Sequence, residues 1–511
     1  VRLVREKDAH GESFEFEVNG RRIYCVGANW IPDHSFPSVV TRSRLREQLG
    51  RARDMNMNML RIWGGGLYET DEFYEACDEL GLLVWQDFPY ACSYYPENDA
   101  MLAEARREAE DNVRRLRNHP SLAIWCGNNE NLTMFEERWE APSRHPTRYY
   151  GERIYDGVLP AVLAELDPSR PYIPTSPWGG ERANGGGVGD QHYWDVWHGR
   201  GDWKHYDDST GRFASEFGFA AAPGHASLKR FSPGTPEFLG LPVRDHRARW
   251  HDKTLKGYET FLGYVELHYP ASKTLEEWSY YSQLNQRDAL RHGIEHFRRG
   301  TICKGSLIWQ INDCWPVQSW AVVDFDAEYK AAAYEIRRLY APALASLVVA
   351  NGRARVVAVL DNAREPFRGE VVLEAHSLLD GKSLGRFSAK VELGPGERKQ
   401  AIDVETSGFA PNETILSVSF AGTQSFRLLG EPKNARLATP RIVASEVPGG
   451  IALETDVPVV DLFLWDRQGS LTLSDNFVTL PAGGRVLLRA NGKPGDLAAR
   501  SLAGTHPVAM R

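Results

Sequence analysis

Residues 121–130, SLAIWCGNNE, are apolar from Leu122 to Cys126 and then turn abruptly polar. An apolar run of this length bounded by turn residues reads as a fully buried strand, too short for a helix. Its exit is unusual, because Gly127, Asn128, Asn129 and Glu130 stand where the strand should reach solvent. The same order of apolar body and polar, aromatic exit recurs in IYCVGANW (23–30), MNMLRIWGGG (57–66), LLVWQDFPY (82–90) and YIPTSPW (172–178). It recurs again in DQHYWDVW (190–197), RFASEFGF (212–219) and GSLIWQIND (305–313). Helical patterns such as SRLREQLGRARDM and TDEFYEACDELG separate several of these runs. Alternating strands and helices with buried strands predict a parallel sheet, and eight such units predict a (β/α)8 TIM barrel. The stretch between the seventh and eighth strands is long enough to hold more than one helix.

A composition shift marks the barrel's end. Fourteen of the fifteen Trp and all six Cys precede residue 341. Beyond it, runs such as RARVVAVLDN, GEVVLEAHSL and ETILSVSFAG alternate with period two between Gly, Pro, Asn and Asp turns. That pattern predicts immunoglobulin-like β-sandwiches. The chain therefore divides into an α/β barrel at 1–340 and two sandwiches at 341–432 and 433–511, with LLGEPKNARLATP (428–440) as the link between the last two.

The 511 residues carry a formal charge of −8 with 25% charged residues. Mild acidity argues against nucleic acid or an anionic membrane as partner, since both require clustered Lys and Arg. No apolar run has the length of a membrane span. The six Cys include no C-x-x-C pair, and His192 and His198 lack metal-ligand spacing, so no metal is expected. The GGG at 64–66 has neither phosphate-binding spacing and reads as a tight turn. Nothing calls for a cofactor. Asn131–Leu132–Thr133 and Asn412–Glu413–Thr414 form glycosylation sequons of a kind common by chance.

A TIM barrel places its chemistry at the C-terminal strand ends. Those ends gather Asn29, Trp30, Arg61, Asn129, Glu130, Trp178, His192, Tyr193, Trp194 and Glu216. Indole faces stack on pyranose C–H faces, and amides, Arg and carboxylates bind hydroxyls, so a sugar pocket fits this inventory. Glu130 and Glu216 end the fourth and seventh strands and can reach one central substrate. A small barrel brings two such carboxyls to within roughly 5–5.5 Å, the spacing of a retaining glycosidase.

The segments GANWIP, LRIWGGGLYE, WQDFPYACSYYP, IWCGNNEN, HYWDVWHG, FASEFGF and WQINDCWPVQSW, in that order, resemble the β-mannosidases of glycoside hydrolase family 2. The resemblance runs through nearly the whole barrel. It implies a retaining exo-hydrolase of terminal β-mannosyl residues, with Glu130 as acid/base and Glu216 as nucleophile. Asn129 matches the Asn that binds near the sugar 2-hydroxyl, and Arg61 matches the Arg that keeps the nucleophile ionised. Asn29 joins the substrate-binding residues, Tyr193 is a candidate partner of the nucleophile, and Trp30, Trp178, Trp194, Trp197 and Trp315 are candidate sugar-binding walls. The partner implied is a β-mannoside oligosaccharide. Family members carry a jelly-roll domain and a β-sandwich ahead of the barrel. Here residues 1–20 resemble only the lead-in, so N-terminal domains of a longer chain are expected to be absent. A related specificity (exo-β-glucosaminidase or endo-β-mannosidase) and a non-catalytic carbohydrate-binding module are the alternatives.

Overall fold

A computed structural model describes residues 1–231, 251–469 and 471–511. Residues 232–250, within the long stretch after the seventh strand, lie outside the described residues, as does 470. The chain forms two compact units, Val1–Tyr264 with Ser272–Ala341, and Val265–Ala271 with Pro342–Arg511.

The first unit is built on eight strands: β1 Cys25–Trp30, β2 Met59–Ile62, β3 Leu83–Asp87, β4 Leu122–Cys126, β5 Tyr172–Ile173, β6 Gln191–Tyr193, β7 Ala214–Phe217 and β8 Gly305–Ile308. Each falls inside a run identified from the sequence. All their pairings are parallel, in the order β5-β4-β3-β2-β1-β8-β7-β6. The ring is a TIM barrel whose ladder is interrupted between β5 and β6. Beyond β7 come helices at His225–Phe231, Tyr258–Glu266 and Leu275–Arg299, so that stretch does hold more than one helix.

Local chemistry sets the helix starts. Thr41 caps the helix Arg42–Asp54 by accepting from the Arg44 amide, and Asn98 caps Asp99–Leu116 through the Met101 amide. Thr274 does the same for Leu275–Arg299, where Glu277 reaches back to the Lys273 amide. These side chains satisfy amides that the first turn leaves without a helical partner.

A three-stranded antiparallel sheet, Arg2–Val4, Glu15–Val18 and Arg21–Ile23, leads into β1. It delivers Phe14 and Phe16, both fully buried, into the barrel interior beside Met59, Trp85, Ile124, Phe213 and Leu307. Phe14 meets Phe213 edge-on at 5.5 Å and lies 5.9 Å from Trp85. This aromatic layer fills one end of the barrel and leaves the strand exits to polar groups.

In the second unit, strands Ala343–Ala350, Arg353–Leu360 and Glu397–Glu405 form one antiparallel sheet. Strands Phe367–Ser377, Ser383–Leu393, Thr414–Phe420 and Thr423–Leu428 form another. Leu347, Val356, Leu373, Val391, Leu416 and Val418 make their common core, the three-plus-four arrangement of an immunoglobulin-like sandwich. The remaining strands, from Ile442 to Met510, surround a separate cluster including Ile442, Leu453, Leu462, Leu464 and Leu488. Their connected order includes one parallel pair, Ile442–Val447 with Gly504–Met510.

Truncating Phe14 should open a cavity that its rigid aromatic neighbours cannot refill. Phe14→Ala is expected to lower the stability of the barrel by about 3–5 kcal/mol, read from its urea transition. An unmoved transition would show that Phe14 does not wedge the barrel.

Candidate active site

Arg61 lies on β2 with no exposed surface. Alternation along a strand sends Asn29, Arg61, Trp85 and Asp87 inward, and Trp30 and Ile62 outward to the helix layer. Every guanidinium N–H has an acceptor. Nε and Nη2 grip Asp87 at 3.2 and 2.7 Å. Nη1 reaches Asn29 Oδ1 at 2.9 Å and Glu216 Oε1 at 2.6 Å, and Nη2 also reaches Asn129 Oδ1 at 2.8 Å. Asn29 is itself anchored through its amide to the carbonyls of Ser215 and Ile308.

The GNNE exit of β4 is explained residue by residue. A Cβ on Gly127 would sit 2.3 Å from the Pro174 carbonyl oxygen, so only glycine fits. Asn128 Nδ2 donates to Pro174 O, and its Oδ1 accepts from Thr175 Oγ1 and the Asn131 amide. That Asn therefore shapes the turn. Asn129 meets Arg61, and Glu130 adopts the left-handed conformation (φ 63°) at the start of helix Asn131–Glu137. An L-residue held there by its surroundings is a feature concentrated at functional sites. The Glu130 amide donates to Ser176 O at 2.8 Å, which helps hold it.

Glu130 and Glu216 converge on His192 of β6. His192 Nδ1 is 2.7 Å from Glu130 Oε1 and 3.5 Å from Glu216 Oε2. One oxygen of each carboxyl and one ring nitrogen lie within 4.8 Å of one another. Among the described residues this trio has the donor atoms for a metal ion, but Arg61 already places a cation on Glu216, so the set reads as poor for a second one. Burial pushes the Glu130 carboxyl up to about 7. Burial also raises Glu216, as does the neighbouring Glu130 carboxyl, opposed by Arg61. Burial lowers His192 to about 4, so its ring is neutral at neutral pH. Arg61 touches Glu216 and not Glu130, a contact that favours the ionised form of Glu216 more than that of Glu130.

Both carboxyls open into a cavity of about 960 Å³. Its aromatic walls are Trp63, Trp139, Trp194, Trp309 and Trp320, with Trp63 edge-on to Trp309 at 5.2 Å and Trp194 to Trp320 at 6.0 Å. Cys92, Asn129, Thr133, Asn184 and Tyr193 add polar groups.

Residues 12–176 match the model of the glycosyl hydrolases family 2 TIM barrel domain. The barrel is a family 2 glycosyl hydrolase barrel. Beta-mannosidase B of Thermothelomyces thermophilus is 40% identical over 350 residues, covering 65% of this chain and 41% of that protein. Beta-mannosidase B of Aspergillus clavatus is 32% identical over 541 residues, covering 97% of this chain and 63% of that protein. The crystal structure of a beta-D-mannosidase from Dictyoglomus thermophilum superposes with TM-score 0.90 at 32% identity, covering all of this chain and 63% of that one. The chain thus spans less than two thirds of the length of each of these relatives.

Within this family 2 barrel, the residues singled out from sequence separate into two groups. Glu130, Glu216, Asn129, Arg61, Asn29 and Trp194 are together, and Trp194 Nε1 donates to Glu216 Oε2 at 3.2 Å. Tyr193 lines the cavity, but its hydroxyl donates to His205 O at 2.6 Å and not to Glu216. Four of the five indoles lie elsewhere. Trp30 faces the helices, donating to Glu69 and packing on Phe73. Trp178 lies under the Arg5 guanidinium. Trp197 is buried behind Trp320 against Phe219 and Phe261, and Trp315 lies beside His251. The walls come instead from Trp63 and Trp309, each just past a strand end, and from Trp320 and Trp139 on loops. The sequence places His192 among the polar strand-end residues without assigning it a partner. Its inward parity with Glu216, its register partner, was the available signal.

Burying Glu130 has a cost that depends on pH. Its folded pKa lies above its unfolded one, so stability is full below the unfolded value and falls as pH rises toward about 7. Glu130→Gln keeps the shape of the protonated acid and cannot ionise. The variant should match the parent in stability at about pH 4 and exceed it by about 3 kcal/mol at about pH 8, by urea unfolding. Equal stability at both pH values would show that Glu130 titrates normally.

Proposed function

We propose that this chain is the catalytic part of a retaining exo-β-mannosidase, hydrolysing terminal non-reducing β-D-mannosyl residues by double displacement. The observation that carries the reading is the pair of unlike carboxyls, oxygens within 4.8 Å, on a Trp-walled cavity. A gap of that order suits nucleophilic attack and leaves no room for an intervening water, as inversion would need. The names of the relatives above supply the sugar.

In the first step Glu216 attacks the anomeric carbon while Glu130 gives its proton to the departing oxygen. The glycosidic C–O bond breaks and a glycosyl ester forms on Glu216. Esterification removes the negative charge beside Glu130, whose pKa then falls so that it can act as base. Water attacks the anomeric carbon, Glu130 takes its proton, and Glu216 leaves as the carboxylate. Arg61 and Trp194 hold Glu216 ionised and aimed, one on each oxygen. Asn129, fixed by Arg61, offers its amide to the sugar near the 2-hydroxyl, and Asn29 acts through Arg61. The indoles supply faces for the pyranose C–H groups.

Glu216→Ala should abolish turnover of aryl β-mannosides, and added azide should yield a glycosyl azide of α configuration. Ordinary hydrolysis by this variant would remove Glu216 from the role of nucleophile. Glu130→Ala should lose little of glycosylation on activated aryl mannosides and about 10²–10⁴-fold on poor leaving groups, the range of one general acid. Azide should then give a β-mannosyl azide. A loss independent of leaving group would sink the acid assignment.

A further inference from the structure

His192 is held from behind. Its Nε2 lies 3.0 Å from Ser176 Oγ, and Ser176 Oγ lies 2.6 Å from Asp190 Oδ2. Asp190 is fully buried and also accepts from Ser215 Oγ and, at Oδ1, from the Trp178 amide at 2.9 Å. With these donors around it, Asp190 serves as the acceptor end of a chain. A hydroxyl has one proton. Given to Asp190, the Ser176 proton cannot also serve His192, so Ser176 must accept from His192 Nε2–H. A neutral imidazole carries one ring proton, which leaves Nδ1 bare. The bare nitrogen faces Glu130 Oε1 at 2.7 Å and needs a donor. On the other carboxyl oxygen, the neighbours of Oε2 are donors, Cys92 Sγ at 3.4 Å and Asn129 Nδ2 at 3.5 Å. Both sides of Glu130 therefore agree that its proton belongs on Oε1.

We propose that Asp190 and Ser176 are positioning residues that lock His192 as the Nε2–H tautomer, so that its bare Nδ1 keeps the proton on Oε1 of Glu130. The proposal rests on the reading of Glu130 as proton donor. His192 then acts as the acceptor that stores the acid's proton at the edge of the cavity until a leaving oxygen competes for it. The opposite tautomer would present Nδ1–H to Glu130 and favour its carboxylate, discharging the acid before substrate arrives. The groups facing Glu130 are His192 from β6, Cys92 from the loop after β3, Asn129 beyond β4, Arg61 from β2, Glu216 from β7, and Glu137 at the end of its own helix. Of these, His192 alone is a neutral hydrogen-bond acceptor for the protonated acid.

Asp190→Asn tests the chain by reversing it. The Trp178 amide still needs an acceptor, so the new side chain turns its oxygen there and its NH2 toward the hydroxyls. Ser176 must then donate to His192 Nε2, which moves the ring proton to Nδ1. The full chain labelled with 15N-histidine reads this directly, the His192 signals being assigned by their loss in His192→Gln. The parent should show a bare Nδ1 and a protonated Nε2 at neutral pH, and Asp190→Asn the reverse. A protonated Nδ1 in the parent, or a bare one in the variant, overturns the proposal. Ser176→Ala provides a second route should Asp190→Asn fold poorly. There the alkaline limb of kcat/KM on aryl β-mannosides should move down by about one pH unit, most for poor leaving groups, with KM little changed. Ser176→Thr should restore it. An active parent whose alkaline limb stays put in Ser176→Ala also overturns the proposal. A parent with the stated tautomer that cleaves no β-mannoside instead counts against the β-mannosidase reading and leaves the tautomer lock standing.

Discussion

Arg61 is a cation sealed inside a barrel, and the surrounding site is arranged to satisfy it. An unpaired buried charge costs several kcal/mol, so each of its donors must find a geometrically fitting acceptor. Its planar fork takes both oxygens of Asp87 on one side and Asn29, Asn129 and Glu216 around the rest. Those acceptors come from β1, β3, β7 and the exit of β4, so one side chain ties together the ends of half the barrel. A lysine could supply the charge but not this fork.

The same residue makes two glutamates unlike. Both are taken out of water, and burial alone would raise both. Glu216 lies in contact with the guanidinium and accepts from Trp194, whereas Glu130 meets a neutral imidazole, a thiol and an amide. One cation placed against one of two neighbouring carboxyls favours ionisation of that one over the other. The strained backbone at Glu130 belongs to the same design. Helix Asn131–Glu137 starts directly after Glu130, whose left-handed conformation turns the chain abruptly.

Much of this is legible in the amino-acid sequence. The eight strands were visible because each is a short apolar run with an abrupt polar exit, and the carboxyls because each terminates such a run. Trp194 lines the cavity, whereas Trp30 does not for a simple reason: a strand sends neighbouring residues to opposite faces. Once Asn29 and Arg61 are placed inward, Trp30 must face the helices. Trp197 and Trp315 lie beyond the strands, where loop geometry decides direction and no period exists to read. The wall residues Trp139 and Trp320 were invisible as site residues for the same reason. Tyr193 shows a third limit, since its position at the cavity was readable but the backbone carbonyl that takes its hydroxyl proton was not.

The interrupted ladder between β5 and β6 is where fold and chemistry become inseparable. β5 is two residues long and forms no parallel ladder with β6. Past its end, the Ser176 hydroxyl and the Trp178 amide reach Asp190 and His192 at the start of β6, and beside an isolated Trp178–Asp190 bridge these polar contacts take the place of a parallel ladder. A ladder there would have been indifferent to side-chain identity. The polar substitute is directional: it begins at a carboxylate, passes through a hydroxyl and ends on an imidazole that faces Glu130. Closing the ring in this way fixes not only where His192 sits but which of its nitrogens is bare. The rim of the cavity at Trp139 and Leu255 is exposed, in contrast to this buried seam. The polar seam between β5 and β6 and the Arg61 guanidinium thus hold the two carboxyls from opposite sides.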